Sequence, residues 1–403
     1  DLHSFPTRRS SDLSFNQRRE PFRSVRKVDG QPQSAYYYVF NAEGDNGYVI
    51  VSGDDRTPEI LGYVDKGSFN EEIIPENMKS WLQLYVDQIK FLADNNITVN
   101  KRAIKARALA RSTRHSIPVL ITSRWDQGKP YNITCPKYYL ENDEKETTAL
   151  PLKEGPAAGC VATAMAQVIN FYKYPAKTKA VIPAYSSTYT SRKNGSQKTV
   201  SQKAIARNTP IDWDNMRDTY DWPSGHVANA QDSAVANLMH MCGQAVQMHY
   251  GPSSGANFSA ESYINYFGYD DSAYVGERSN YSIDEWFEAI YEELAQGYPI
   301  LFSGHSSGGG HAFVIDGFDG EQLFHLNWGW SGGSDGWFLI GILNPGDNSG
   351  IGASSSSDGY SMSQRAMFNL RLPDNVRVEK STCMTIHDIT EAKIGRASCR
   401  ERV

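Results

Sequence analysis

The chain has 403 residues, enough for two or three domains that each bury a core of their own. A formal net charge of −6 with 21% charged residues gives no sign of a nucleic-acid partner. No apolar run approaches the ~20 residues that a membrane-spanning helix needs. The 23 Tyr, 16 Phe and 33 Gly suit a β-rich, loop-rich secreted protein.

The ends read as foreign. Residues 1–13 (DLHSFPTRRSSDL) and 391–403, which finish in KIGRASCRERV, resemble translated sequencing-adapter read-through. On that reading the true N-terminus is missing, so the lack of a signal peptide is uninformative. Residues 14–111 form a first unit. AYYYVF (35–40) and GYVIVSGDD (47–55) are β-rich runs joined as a hairpin, and EILGYVDKGSF continues the sheet. In PENMKSWLQLYVDQIKFLADNN, Met78, Trp81, Leu82, Tyr85, Ile89 and Leu92 share one helical face. The stretch 101–115 carries six Lys and Arg and no acidic residue; a nucleic-acid or membrane patch is one reading, but its place between two distinct units favours a solvated linker open to proteases.

A second unit runs from 116 to 373. Apolar residues at 161, 164, 165, 168, 169 and 172 predict a core-facing helix that starts at Cys160 and ends near Tyr174, before Pro175. Residues 176–232 read as polar and irregular, anchored by Trp213 and Trp222. NLMHMCGQAVQM (237–248) predicts a second helix and SIDEWFEAIYEELAQG a third, with a Ser282–Glu285 capping box and a stop at Gly297. PILFSG, HAFVIDGF, QLFHLNWGW and GWFLIGIL then read as strands, with a turn at 318–321. A glycine- and serine-rich loop (346–359) and a closing strand, MFNLRLP, complete the unit. Residues 374–390 read as the start of a further module.

The chemistry centres on Cys160. The five cysteines lack metal-ligand spacing, and Cys135 and Cys242 read as core thiols. Cys160 follows Gly155-Pro156-Ala157-Ala158-Gly159, small residues that leave a thiol uncovered. The free N–H groups and positive end of a helix favour the thiolate. A thiolate nucleophile needs a base, and His311, opening a strand after the loop SSGGG, is the candidate. His325 alternates with apolar neighbours and reads as a packed or surface histidine; His305 lies in the loop.

A cysteine at a helix start with a distant strand histidine is the papain-like arrangement. GCVATAMAQ, YGPSSG, GGHAFVIDGFDG and HLNWGWSGGSDGWF, in that order, resemble the streptopain family of secreted bacterial cysteine peptidases over residues 116–373. The unit at 14–111, with GYVIVSGDDRTPEILGY, is similar to that family's propeptide. The resemblance implies an α+β fold: a small α+β propeptide domain, then a papain-like catalytic domain made of a helical part and an antiparallel sheet. It implies Cys160 as nucleophile, His311 as general acid/base, Gln127 as oxyanion donor beside the Cys160 N–H, and Asn327 or Trp328 as the group orienting the histidine. Ser254, Ala256 and Gly310 would line the substrate groove; Ala256 stands where a streptococcal member has serine, which removes a side-chain contact. The expected protein is a secreted or cell-surface zymogen acting on proteins or peptides, inhibited by its own propeptide, with no metal or cofactor. The same Cys–His pair would also serve a transglutaminase or amidase, and the fold alone would serve a silent binding protein.

Overall fold

The computed structural model describes residues 22–28, 31–94, 96, 114–136, 157–190, 195–250, 255–306, 309–341 and 364–376. The basic linker at 101–113, Ser254, the 346–359 loop, both proposed foreign ends and most of 374–390 lie outside the described residues.

In the first unit the predicted hairpin is present. Strands β1 (Phe22–Val28), β2 (Gln31–Asn41), β3 (Tyr48–Ser52) and β4 (Ile60–Val64) pair antiparallel in sequence order. Helix α1 (Glu76–Asp94) buries the predicted face, including Met78, Trp81, Tyr85 and Ile89.

In the second unit, α2 (Cys160–Tyr172) stops two residues before the predicted end, because Lys173 turns left-handed and its N–H caps the Asn170 carbonyl. The stretch read as irregular contains a hairpin of β5 (Tyr185–Thr190) and β6 (Gln197–Gln202). Half of its strand residues are exposed and few are fully buried, so its sequence lacks the apolar alternation of a half-buried strand. Helix α3 (Ala230–Ala245) begins earlier than its apolar run, at an Asn229–Asp232 capping box. After β7 (Tyr274–Glu277), α4 (Ile283–Ala295) starts at the predicted Ser282–Glu285 box. Strands β8 (Ile300–Ser306), β9 (Gly309–Phe318), β10 (Phe324–Asn327), β11 (Gly336–Phe338) and β12 (Arg365–Phe368) complete the sheet.

The two units share one ten-stranded sheet, in the order β1-β2-β3-β4-β11-β10-β9-β8-β12-β7. The junction is β4 against β11, with Tyr63 opposite Trp337 and Gly62 opposite Phe338. Each face of the central strands feeds a separate core, as period-two alternation requires. Ala312 and Val314 of β9 and Leu301 of β8 join α2 and α3 in one core. Phe313, Ile315 and Phe302 join α1 and α4 in the other. The helix of the first unit therefore covers a face of the second unit's sheet.

Candidate active site

Three segments meet at the start of α2. Cys160 is the first helical residue, after Gly159 at φ +95. A Cβ on Gly159 would lie 2.4 Å from the Met248 methyl, so only glycine allows both the backbone turn and that approach. Cys160 is part-exposed, whereas Cys135 and Cys242 are buried as expected of core thiols.

The Gln127 segment sits against this start. The Ala158 N–H donates to the Gln127 carbonyl at 2.9 Å. Asp126 stiffens the turn: its Oδ1 accepts from the Gln127 and Gly128 N–H groups, and its Oδ2 accepts from the Ser331 hydroxyl at 2.7 Å. Among the described residues the Gln127 side-chain amide has no hydrogen-bond partner.

Asn327 ends β10, Trp328 follows it, and both are buried. The Asn327 amide is committed: Nδ2 donates to the Ser123 carbonyl, and Oδ1 accepts from Gln167 Nε2 and the Gly329 N–H. The Trp328 ring packs on Phe313, Trp81 and Phe338, with centroids 4.9, 6.4 and 5.2 Å away.

Cys160 and His311 are not joined. No hydrogen bond links them among the described residues. The backbone amides of Ala312, Val161 and Cys160 itself favour the thiolate form instead. His311 lies on the Phe313 face of β9, under α1, where Glu76 is a favourable electrostatic neighbour and His305 an unfavourable one. Burial is the main cause lowering its pKa, so the ring is neutral at pH 7. Burial likewise pushes the Cys160 thiol up, and the three N–H groups only partly offset this. The expectation of a thiol lowered by the helix terminus is therefore corrected: without an imidazolium nearby, desolvation outweighs the terminal N–H groups.

The first unit reaches both sides of this region through one residue. Asn77, at the start of α1 and 1% exposed, donates from Nδ2 to the carbonyls of Ala312 and Trp328, at 3.0 and 2.9 Å. One side chain thus bridges the histidine strand and the Trp328 turn. Of the expected groove residues, Ala256 is half-buried and packs on the α2–α3 core. Gly310 is exposed, with the His305 ring against it. His325 is indeed a packed histidine. Burial works to lower its pKa, but Asp316, 2.6 Å away, prevails and raises it. Sequence reading missed Asp126, which is half-buried, and Asn77, Ser123 and Gln167, whose only signal is polarity at buried positions.

Residues 125–338 match the peptidase C10 family, and residues 5–89 match the Spi protease inhibitor family. Streptopain of Streptococcus pyogenes is 34% identical over 347 residues, 85% of this chain and 83% of that one. The chain belongs to the peptidase C10 family. A thiol protease/hemagglutinin of Porphyromonas gingivalis, PrtT, is 28% identical over 85% of this chain but only 38% of its own length. Among solved structures, a Prevotella intermedia prointerpain A fragment with a cysteine-to-alanine mutation matches with a TM-score of 0.62 and 29% identity. The match covers 88% of this chain and all of that one. The protein is accordingly a cysteine peptidase in zymogen form: a papain-like α+β catalytic domain preceded by an inhibitor-type propeptide. The transglutaminase, amidase and binding-protein readings are not favoured.

Proposed function

We propose that this peptidase hydrolyses peptide bonds through a Cys160–His311 dyad that forms only after the propeptide leaves. Cys160 gives its proton to His311, and the thiolate attacks the scissile carbonyl carbon. The Gln127 side-chain amide and the Cys160 N–H donate to the resulting oxyanion. The imidazolium returns the proton to the leaving amine as the C–N bond breaks, leaving a thioester. His311 then takes a proton from water, which attacks the thioester carbonyl and frees Cys160. Trp328 shields the imidazole, and Asn327 supports that turn from beneath. Ser254, Ala256 and Gly310 contact the substrate backbone.

The observation that carries this reading is the meeting of the Gln127 turn with the Cys160 helix start, through the Ala158–Gln127 hydrogen bond. Residues 14–111 act as an intramolecular inhibitor and 116–373 as the catalytic domain, with activating cleavage within or close to 101–115. A covalently attached inhibitor suits an endopeptidase exported from its cell to act at the surface or beyond. Among the described residues, no helix is long and apolar enough to cross a membrane.

The test uses the precursor with Cys160→Ala and a trace of active enzyme. Trimming is expected to begin within 101–115, and the wild-type precursor to gain activity in step with it. The trimmed Cys160→Ala protein is expected to be inert on casein. Casein cleavage by that variant, or full activity of an uncut wild-type precursor, overturns the reading.

A further inference from the structure

Gln167 has no role in the chemistry above, yet it is fully buried on the helix that carries the nucleophile. It lies seven residues, two helical turns, beyond Cys160, so both occupy the same side of α2. A buried primary amide must place two donors and two acceptors. Gln167 Oε1 accepts from the Ser123 hydroxyl at 3.1 Å and, at 3.4 Å, from the Trp125 N–H. Its Nε2 donates to Asn327 Oδ1 at 3.0 Å. Asn327 closes the ring by donating from Nδ2 to the Ser123 carbonyl at 3.0 Å, and its Oδ1 also accepts from the Gly329 N–H at 3.1 Å.

Every segment entering this ring carries a working residue. Residues 123–125 lead into Gln127, α2 carries Cys160, and residues 327–329 hold Trp328. Bond polarity sets the orientation. Both acceptor positions on Asn327 Oδ1 are filled, so that oxygen faces Gln167 and the 329 backbone rather than the histidine. None of these bonds involves the propeptide, so the ring persists after cleavage.

We infer that Gln167 is a positioning residue that locks the oxyanion turn and the Trp328 turn onto the nucleophile's helix. This rests on the dyad reading above. Gln167 touches no reacting atom; it acts through Gln127 and Trp328. Misplacing catalytic groups by about 1 Å can cost of order 100-fold in rate. The loss should appear in kcat, while substrate affinity and thiolate formation stay as they are.

The test compares Gln167→Glu and Gln167→Met in the mature, cleaved enzyme, with active sites counted by iodoacetamide titration. Glutamate keeps both acceptor bonds but sets a carboxylate oxygen against Asn327 Oδ1; methionine keeps the shape and neither polarity. For both, kcat per titrated site on a fluorogenic peptide should fall about 10- to 100-fold, on the scale expected of such misplacement. KM should stay within about twofold and the pH profile of Cys160 alkylation should not change. Ser123→Ala removes a single bond of the ring and serves if the Gln167 variants do not fold; its kcat should fall in the same direction by a smaller factor. A lowered Tm with unchanged kcat per titrated site overturns the inference, because that is the signature of a buried polar group that only stabilises. Failure of the dyad reading is seen separately, as peptide cleavage by Cys160→Ala.

Discussion

Gln127 has one task in the proposed chemistry, and its surroundings fit it for that task alone. Its backbone holds the turn to α2 through the Ala158 N–H, while the side-chain amide makes no bond among the described residues. Replacing it by alanine therefore removes an oxyanion donor and leaves the turn in place. Loss of one such donor costs about 10²–10³ in rate, roughly 3–4 kcal/mol. Gln127→Ala in the mature enzyme is expected to lower kcat by that factor with little change in KM or Tm, and an unchanged kcat would return Gln127 to an ordinary turn residue. At this scale the sequence singled out the side chains proposed for the chemistry, because residues such as Cys160 and His311 stand out against small or flexible neighbours. It hid Gln167 and Asn77, since a glutamine or asparagine inside an amphipathic helix looks like a surface residue until its partners are known. The ionisation of Cys160 was illegible for a related reason. A helix start is readable from GCVATAMAQ, but the burial that desolvates the thiol depends on segments distant in the chain that pack around it.

Helix α1 was fully legible as an element, because its apolar face repeats at helical spacing; what that face covers was not. The face sets Trp81 5.4 Å from Phe313 and 6.4 Å from Trp328, and its first turn sends Asn77 between Ala312 and Trp328. Asn77→Leu should leave two carbonyls without donors inside the joint, a cost of about 1–3 kcal/mol per buried group. The variant precursor is expected to be trimmed faster by trace mature enzyme than the parent, and an equal rate would show that Asn77 does not hold the latch. The same helix sets a pH dependence. His311 has its pKa lowered in the precursor, chiefly by burial under this unit, with His305 adding to the effect and Glu76 opposing it. The precursor therefore binds fewer protons at this site than the unfolded chain does. The resulting stabilisation is present above the unfolded value of ~6.5 and is lost as pH falls through the lower folded value. The Tm of a Cys160→Ala precursor should drop between pH 7.5 and 5 by more than that of the same protein with His311→Gln. Equal drops would remove His311 from the pH response.

At the scale of the whole molecule, the inhibitor and the enzyme are held together as one sheet. Strand β4 of the propeptide lies beside β11 of the catalytic domain, and the Leu339 N–H donates to the Leu61 carbonyl at 3.0 Å just past the paired residues. The Tyr85 hydroxyl of α1 donates to the Leu339 carbonyl at 2.6 Å, with the Leu61 carbonyl 3.0 Å away, so helix and strand grip the same point. This joint links positions far apart in the chain, and neither strand's sequence names its partner; both read only as β-rich runs. Gly62 is one of two glycines, with Gly336, that let the strands of this joint approach closely. A Cβ on Gly62 would lie 2.6 Å from the Phe338 ring and 2.8 Å from the Trp337 carbonyl oxygen. Phe338 is fully buried and cannot swing aside, and the carbonyl belongs to the backbone, so relief must come from parting β4 and β11. Overpacking of this kind costs about 1–3 kcal/mol. Because Gly62 belongs to the propeptide, the mature enzyme never contains the substitution, and any effect reports docking alone. Gly62→Ala in the Cys160→Ala precursor should lower the Tm and speed cleavage at 101–115 by added mature enzyme. The mature enzyme released from an otherwise wild-type Gly62→Ala precursor should match the parent in kcat and KM. If the precursor is cut no faster than its parent, the shared sheet does not restrain the propeptide, and inhibition rests on α1 alone.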